Sequence, residues 1–226
     1  MAPFLFAGDP HGNFAPLIRA CAARDRPGTL VVVGDFACSA PLPTVLAPVF
    51  EAGWDVRWIL GNHDTDDEAA YDRVAGAHPE GDIGLRVSEL AGSRVAGLPG
   101  VFKPRVWHPR GDVAERVDPP QFHTRAEFQA SLRPDEAWRG GLPLWHRDTI
   151  FPEDVRALER ERFDVLVAHE APSSHPHGFD AIDALARAGG ARWIVHGHHH
   201  LSYRGEVAGG IAVRGLGVAE VWEFEA

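Results

Sequence analysis

The chain has 226 residues, 45% of them apolar and 24% charged, a composition that supports one globular domain with a sizeable core and excludes disorder, collagen and coiled coil. Acidic residues outnumber basic ones to give a formal net charge of −10, which argues against a uniformly basic nucleic-acid binder. No apolar run approaches the ~18 residues needed to span a bilayer, no secretory leader is visible at the N-terminus, and Cys21 and Cys38 cannot build a disulfide framework, so a cytoplasmic setting without membrane partners is expected.

Phe4–Ala7 is a short apolar run ending in Gly8-Asp9 and predicts a first strand. Phe14, Leu17, Ile18 and Cys21 follow at helical spacing and predict a helix over 14–24. Leu30–Val33 predicts a second buried strand, again ending in Gly-Asp at Gly34-Asp35. Residues 42–52 read as a helix despite Pro43 and Pro48, and Val56–Leu60 as a third strand running into Gly61-Asn62-His63-Asp64. A helix over 66–75 follows, with Thr65 or Asp66 as its cap.

Short strands at 85–90 and 94–98 precede 99–150, where periodicity is lost among Pro, Gly and Trp residues. A helix over 152–162 opens with Pro and two acids, Glu153 and Asp154, which suit its N-terminal dipole. The run 164–168 is a buried strand ending at His169; 181–188 reads as a helix, and 193–195 as a strand leading into His196-Gly197-His198-His199-His200. Strand-like segments around Gly209-Gly210, Val213 and 218–224 complete the sequence.

This strand–helix rhythm favours parallel strands covered by helices, with ligands bound where the strands' carboxyl ends meet their loops. Those ends carry Asp9-Pro10-His11, Gly34-Asp35, Gly61-Asn62-His63-Asp64, His169 and Gly197-His198-His199-His200. Carboxylate, imidazole and amide oxygen together suit a pair of divalent ions. Residues two apart on extended backbone point the same way, so Asp9 with His11, and His198 with His200, can converge.

In this order the blocks resemble the calcineurin-like metallophosphoesterase superfamily. The resemblance implies an α/β fold of two facing mixed β-sheets flanked by helices (a four-layer αββα sandwich), here as a single domain over 1–226 with an irregular insert at about 99–150. It implies two divalent metal ions, for which oxygen and imidazole donors without a thiolate favour Mn2+, with Fe, Ni2+ or Zn2+ as alternatives. One would be held by Asp9, His11, Asp35 and His200, the other by Asp35, Asn62, His169 and His198, with Asp35 bridging. His63 would face the substrate phosphate as the catalytic imidazole, oriented by Asp64, while a metal-activated water attacks phosphorus in line. His199 and His196 read as structural, and Cys38 as a small buried residue.

The protein phosphatases of the superfamily carry an Arg where this chain has Ser39, and a His-Gly-Gly where it has His169-Glu170-Ala171. Both departures point away from them and toward a phosphodiester or phosphomonoester substrate, a small molecule or nucleotide. The insert holds eight basic and seven acidic residues and Trp107, Trp138 and Trp145, unlike the acidic remainder. Arg can fork onto phosphate and Trp can stack on a base. Arg105, Trp107, His108 and Arg110 are therefore candidate substrate contacts, the alternative being that the insert packs its own core. Asn13 is either a phosphate contact or a helix cap, and His175 and His177 either line the cleft or face solvent. A nuclease using the insert, and a metal-bound scaffold binding a partner through it, are the alternatives to the hydrolase.

Overall fold

A computed structural model describes residues 2–110 and 116–225; residues 111–115 of the predicted insert lie outside the described residues. The strands are β1 (Phe4–Ala7), β2 (Thr29–Val32), β3 (Asp55–Trp58), β4 (Val87–Leu90), β5 (Ser93–Leu98), β6 (Val165–Ala168), β7 (Trp193–His196), β8 (Tyr203–Val207), β9 (Ile211–Gly215) and β10 (Val221–Glu223). They form a four-stranded sheet in the order β10-β1-β2-β3 and a six-stranded sheet in the order β4-β5-β6-β7-β9-β8. In the first sheet β1, β2 and β3 are parallel and β10 is antiparallel to β1. In the second, β5, β6, β7 and β9 are parallel, and β4 and β8 are antiparallel edges.

Alternation along the strands explains the layering. Phe4, Phe6, Val31 and Val33 from one sheet meet Val95, Val165, Val167 and Val195 from the other in a shared apolar layer. The intervening residues Leu5, Ala7, Leu30 and Val32 pack on Leu17 and Cys21 of α1 (Ala15–Ala22), Leu42 of α2 (Leu42–Val45) and Val49 of α3 (Ala47–Glu51). Because both faces of these strands are covered, they read as continuous apolar runs. The expected four-layer αββα sandwich is the fold observed.

The predicted helix over 42–52 is split at Leu46, and Pro48, which has no N–H with which to continue α2, lies in the first turn of α3. Only Glu68–Tyr71 (α4) of the helix predicted over 66–75 is α-helical; it passes into a π-helical turn at Asp72–Gly76. Its cap is Asp67, not Thr65 or Asp66: the Asp67 carboxylate accepts from Ala70 N at 2.8 Å.

The segment 99–150 is more regular than its composition suggests. It contains α5 (Arg125–Ala130), opened by a reciprocal cap between Thr124 and Glu127. Val106, Phe128, Leu142 and Phe151 form its own apolar cluster. Arg125 grips Asp154 at the start of α6 (Pro152–Leu158), tying the insert to the second sheet's helical layer. That layer also holds α7 (Asp180–Gly189), whose Ile182, Leu185 and Ala186 are buried on the outer face of β6 and β7. At the insert's entry Gly100 has φ +78°, and a Cβ there would fall 1.7 Å from the Asp148 carbonyl oxygen, so only glycine fits.

Phe128 is 0% exposed at the centre of the insert's cluster. Phe128→Ala should cost about 3–5 kcal/mol, read by denaturant unfolding. Amide exchange should accelerate first within 121–147; equal acceleration across both sheets would mean that the insert has no core of its own.

Candidate metal centre

The parallel strands of both sheets end in the polar clusters noted in the sequence. Asp9 lies beyond β1, Asp35 beyond β2, Asn62 beyond β3, His169 immediately after β6 and His198 beyond β7. Two groups of ligand atoms result, each within 4.8 Å of one another: Asp9, His11, Asp35 and His200, and Asp35, His169 and His198. Asp35 belongs to both. Its Oδ2 lies 3.7 Å from His11 Nε2 and 3.4 Å from His169 Nε2, while His200 Nε2 is 3.3 Å from Asp9 Oδ2. Asn62 joins the second group, its Oδ1 lying 3.1 Å from His169 Nε2.

Convergence does not follow from strand alternation. His11, Asp35, His198 and His200 all lie in the left-handed region, at φ +43°, +54°, +67° and +56°, where an L-residue is strained. Left-handed residues beyond β1, β2 and β7 redirect the chain where these ligands meet. Backbone approach is just as tight: a Cβ on Gly61 would sit 2.2 Å from Asp35 Oδ1, and one on Gly197 would sit 2.0 Å from Asp9 Oδ1.

The chemistry of this donor set fits divalent cations. Asp9 Oδ1 is buried without a hydrogen-bond partner among the described residues, an expensive state for a carboxylate. Nε2 of His11 faces Nε2 of His200 at 2.8 Å, two ring nitrogens directed at one place. Nδ1 of His169 donates to the Val33 carbonyl at 2.7 Å, which fixes the ring with Nε2 directed at Asp35. Without a cation, burial raises the Asp9 carboxyl above its ordinary range. Burial also works against Asp35, but the His169 imidazole outweighs it and holds Asp35 below the usual carboxylate range.

Asp64 does not orient His63. It is buried, and its carboxylate accepts from the N–H groups of Asp35 (2.9 Å), Phe36 (2.8 Å) and Gly61 (2.8 Å). The partner of His63 is Asp66, whose Oδ2 lies 2.8 Å from Nδ1, and the hydrogen bond raises the His63 imidazole above its ordinary value. His63 and Asp66 sit three apart on a tight helical turn, a spacing that brings side chains together; that was the overlooked signal. The His63 ring stands 5.7 Å from that of His11, at the mouth of the centre.

The other sequence candidates divide. His108, Arg110 and His177 line a cleft of about 300 Å3 together with His198 and His199. His175 is buried and stacks on the His199 ring, with centroids 4.1 Å apart, so it supports the cleft from behind. Arg105 instead pairs with Glu136 at 3.2 Å and lies over the Phe128 ring. Trp107 packs edge-on against Phe102 at 5.0 Å. Both serve the insert's packing. Asn13 is exposed and does not cap α1, whose N-cap is Phe14 with no side-chain bond. Cys38 is buried, and His196 is buried with Nε2 2.8 Å from the Tyr203 hydroxyl.

The model of the calcineurin-like phosphoesterases matches residues 2–202, and the chain belongs to that family of metal-dependent phosphoesterases. An uncharacterized protein of Haemophilus influenzae (strain Rd) is 34% identical over 200 residues, which are 88% of this chain and 84% of that protein. A dimetal phosphatase from Danio rerio shares the fold with a TM-score of 0.58 at 14% identity, over 96% of this chain and 88% of that one. Phosphopantetheinyl hydrolase from Mycobacterium tuberculosis does so with a TM-score of 0.53 at 15% identity, over 96% and 91%. No helix among the described residues is long and apolar enough to cross a membrane.

Asp64→Asn turns an NH2 group toward at least one of three backbone N–H donors. It should cost about 1–3 kcal/mol, roughly 2–12 °C in Tm for a chain of this size, and weaken binding of Mn2+ at both ligand groups. An unchanged Tm with lower turnover would return Asp64 to the role of orienting His63.

Proposed function

We propose that the chain hydrolyses a small-molecule phosphodiester or phosphomonoester at a two-cation centre. Asp9, His11, Asp35 and His200 hold one cation, and Asp35, Asn62, His169 and His198 hold the other. The observation that carries this reading is Asp35, a buried carboxylate common to two ligand groups at the joined ends of two sheets. Oxygen and imidazole donors without a thiolate favour Mn2+, with Fe, Ni2+ or Zn2+ as alternatives. Such a pair supplies Lewis-acid polarisation of a phosphoryl oxygen and an activated water nucleophile.

The chain's own residues do the rest. His63 stands at the mouth of the centre, where its Nε2 donates a proton to the transferring phosphoryl group or the departing oxygen. Asp66 accepts from Nδ1–H and favours the protonated imidazolium, so that the ring is held in place and Nε2 carries the proton it donates. His108, Arg110 and His177 contact the substrate beyond the scissile phosphate from the adjacent cleft. The nuclease alternative has less support, since Arg105 and Trp107 are engaged within the insert. Two free, buried cysteines agree with a cytoplasmic setting.

Asp35→Asn should abolish loading of both cations together, as read by metal analysis of the purified protein with added Mn2+. Retention of two cations and normal turnover would refute the bridging role. His63→Ala should leave metal content intact and lower kcat by about 10²–10⁴-fold. The loss should be smaller for a nitrophenyl ester than for an alkyl ester, because a good leaving group needs less protonation. Asp66→Asn should lower kcat by about 10–100-fold with the same leaving-group trend. No effect of Asp66→Asn beside a large effect of His63→Ala would remove Asp66 from the mechanism.

A further inference from the structure

A third gathering of ligand atoms adjoins the two that this reading uses. Glu170 follows His169 at the end of β6 and is buried. Its Oε1 lies 3.9 Å from Nε2 of His198 and 3.7 Å from Nε2 of His199, and one ligand atom from each of the three residues falls within 4.8 Å of the others. Tetrahedral ligation at ~2.0–2.2 Å separates neighbouring donor atoms by about 3.3–3.6 Å, so a closure of a few tenths of an ångström brings each pair with Glu170 to that spacing.

Three further observations point to an ion. Nε2 of His199 is buried and has no hydrogen-bond partner among the described residues. The His199 ring is held in place by His175, stacked parallel to it at 4.1 Å. Glu170 is itself braced, accepting from Ala171 N at 3.3 Å and Phe102 N at 3.4 Å. The cleft lined by His108, Arg110 and His177 reaches Glu170, His198 and His199 and gives an ion a path from solvent.

We propose that Glu170, His198 and His199 form a third divalent-cation site, a carboxylate and two imidazoles with one position open to the cleft. That donor set is suited to Zn2+. The inference rests on the two-cation reading only in that His198 serves both sites: Nε2 faces Glu170, and with Nδ1 given to the neighbouring centre the ring would bridge as an imidazolate, its N–H proton released to solvent as the third cation binds.

The test is the full chain loaded with Zn2+, counted by metal analysis after dialysis and crystallised for anomalous diffraction at the zinc edge. Three cations are expected, one of them ~2.0–2.2 Å from Glu170 Oε1 and His199 Nε2. His199→Ala and Glu170→Gln should each remove that cation and leave the other two. No anomalous density between Glu170 and His199 in the parent protein, or three cations retained in His199→Ala, overturns the proposal. So does a parent with two cations whose Glu170→Gln variant loses one from the Asp35–His169 group, because Glu170 would then hold the His198 ring and not an ion. Density at Glu170 with none between Asp9 and Asp35 would instead overturn the two-cation reading alone.

Discussion

Three backbone N–H groups converge on the carboxylate of Asp64, and the site depends on that convergence. Asp35 and Phe36 belong to the loop after β2 and Gly61 to the loop after β3, so one buried anion joins two strand ends. Burial pushes the Asp64 carboxyl up to about 7, with the nearby Asp35 charge adding to it. The three hydrogen bonds offset part of that cost. The hydrogen bonds hold Asp35 in its left-handed conformation and keep Gly61 against it. In turn, Asp35 Oδ1 receives the N–H of His63 at 2.9 Å, so the loop carrying Asn62 and His63 is positioned by the same anchor.

Strain at the ligands is offset by what surrounds them. Left-handed backbone at His11, Asp35, His198 and His200 costs on the order of 1–3 kcal/mol each. The residues before these turns belong to strands covered on both faces, and burial of their side chains supplies ~1.5–3 kcal/mol apiece. Each ligand loop thus springs from the most rigid part of the molecule. The glycines preceding Asp35, Asn62 and His198 let neighbouring loops touch backbone to side chain, which is how ligands from both sheets reach one place.

Much of this was legible in the sequence. Apolar runs ending in Gly-Asp, Gly-Asn-His and Gly-His mark strands and loops by their chemistry, and both sheets follow from two-faced burial. The four-layer arrangement and the sharing of Asp35 between two ligand groups came from the family resemblance of the ordered motifs, not from that rhythm. The failures share a cause: they concern which of several polar residues in one short loop takes which partner. Asp64 and Asp66 are the same residue type, one and three positions after His63 in the same loop. Only the backbone path turns one inward to three N–H groups and the other outward to the imidazole. The residues of the insert's core could not be picked out in sequence, because Phe128, Val106 and Leu142 are too far apart to show a period, yet they meet in space.

The position of β10 against β1 has a consequence for the order in which the molecule can assemble. β1, β2 and β3 are made within the first 58 residues and can pair as they emerge, but β1 stays an edge until Val221–Glu223 arrive. At a synthesis rate of about 5–20 residues per second, that edge stands open for roughly 8–30 s. It presents Phe4, Leu5 and Phe6 with unpaired main-chain groups, the combination most prone to mispairing with another chain. A nascent chain of this protein therefore carries its greatest hazard at the segment beside the metal loops. Engagement by a chaperone during synthesis would be expected there, and not at the late six-stranded sheet.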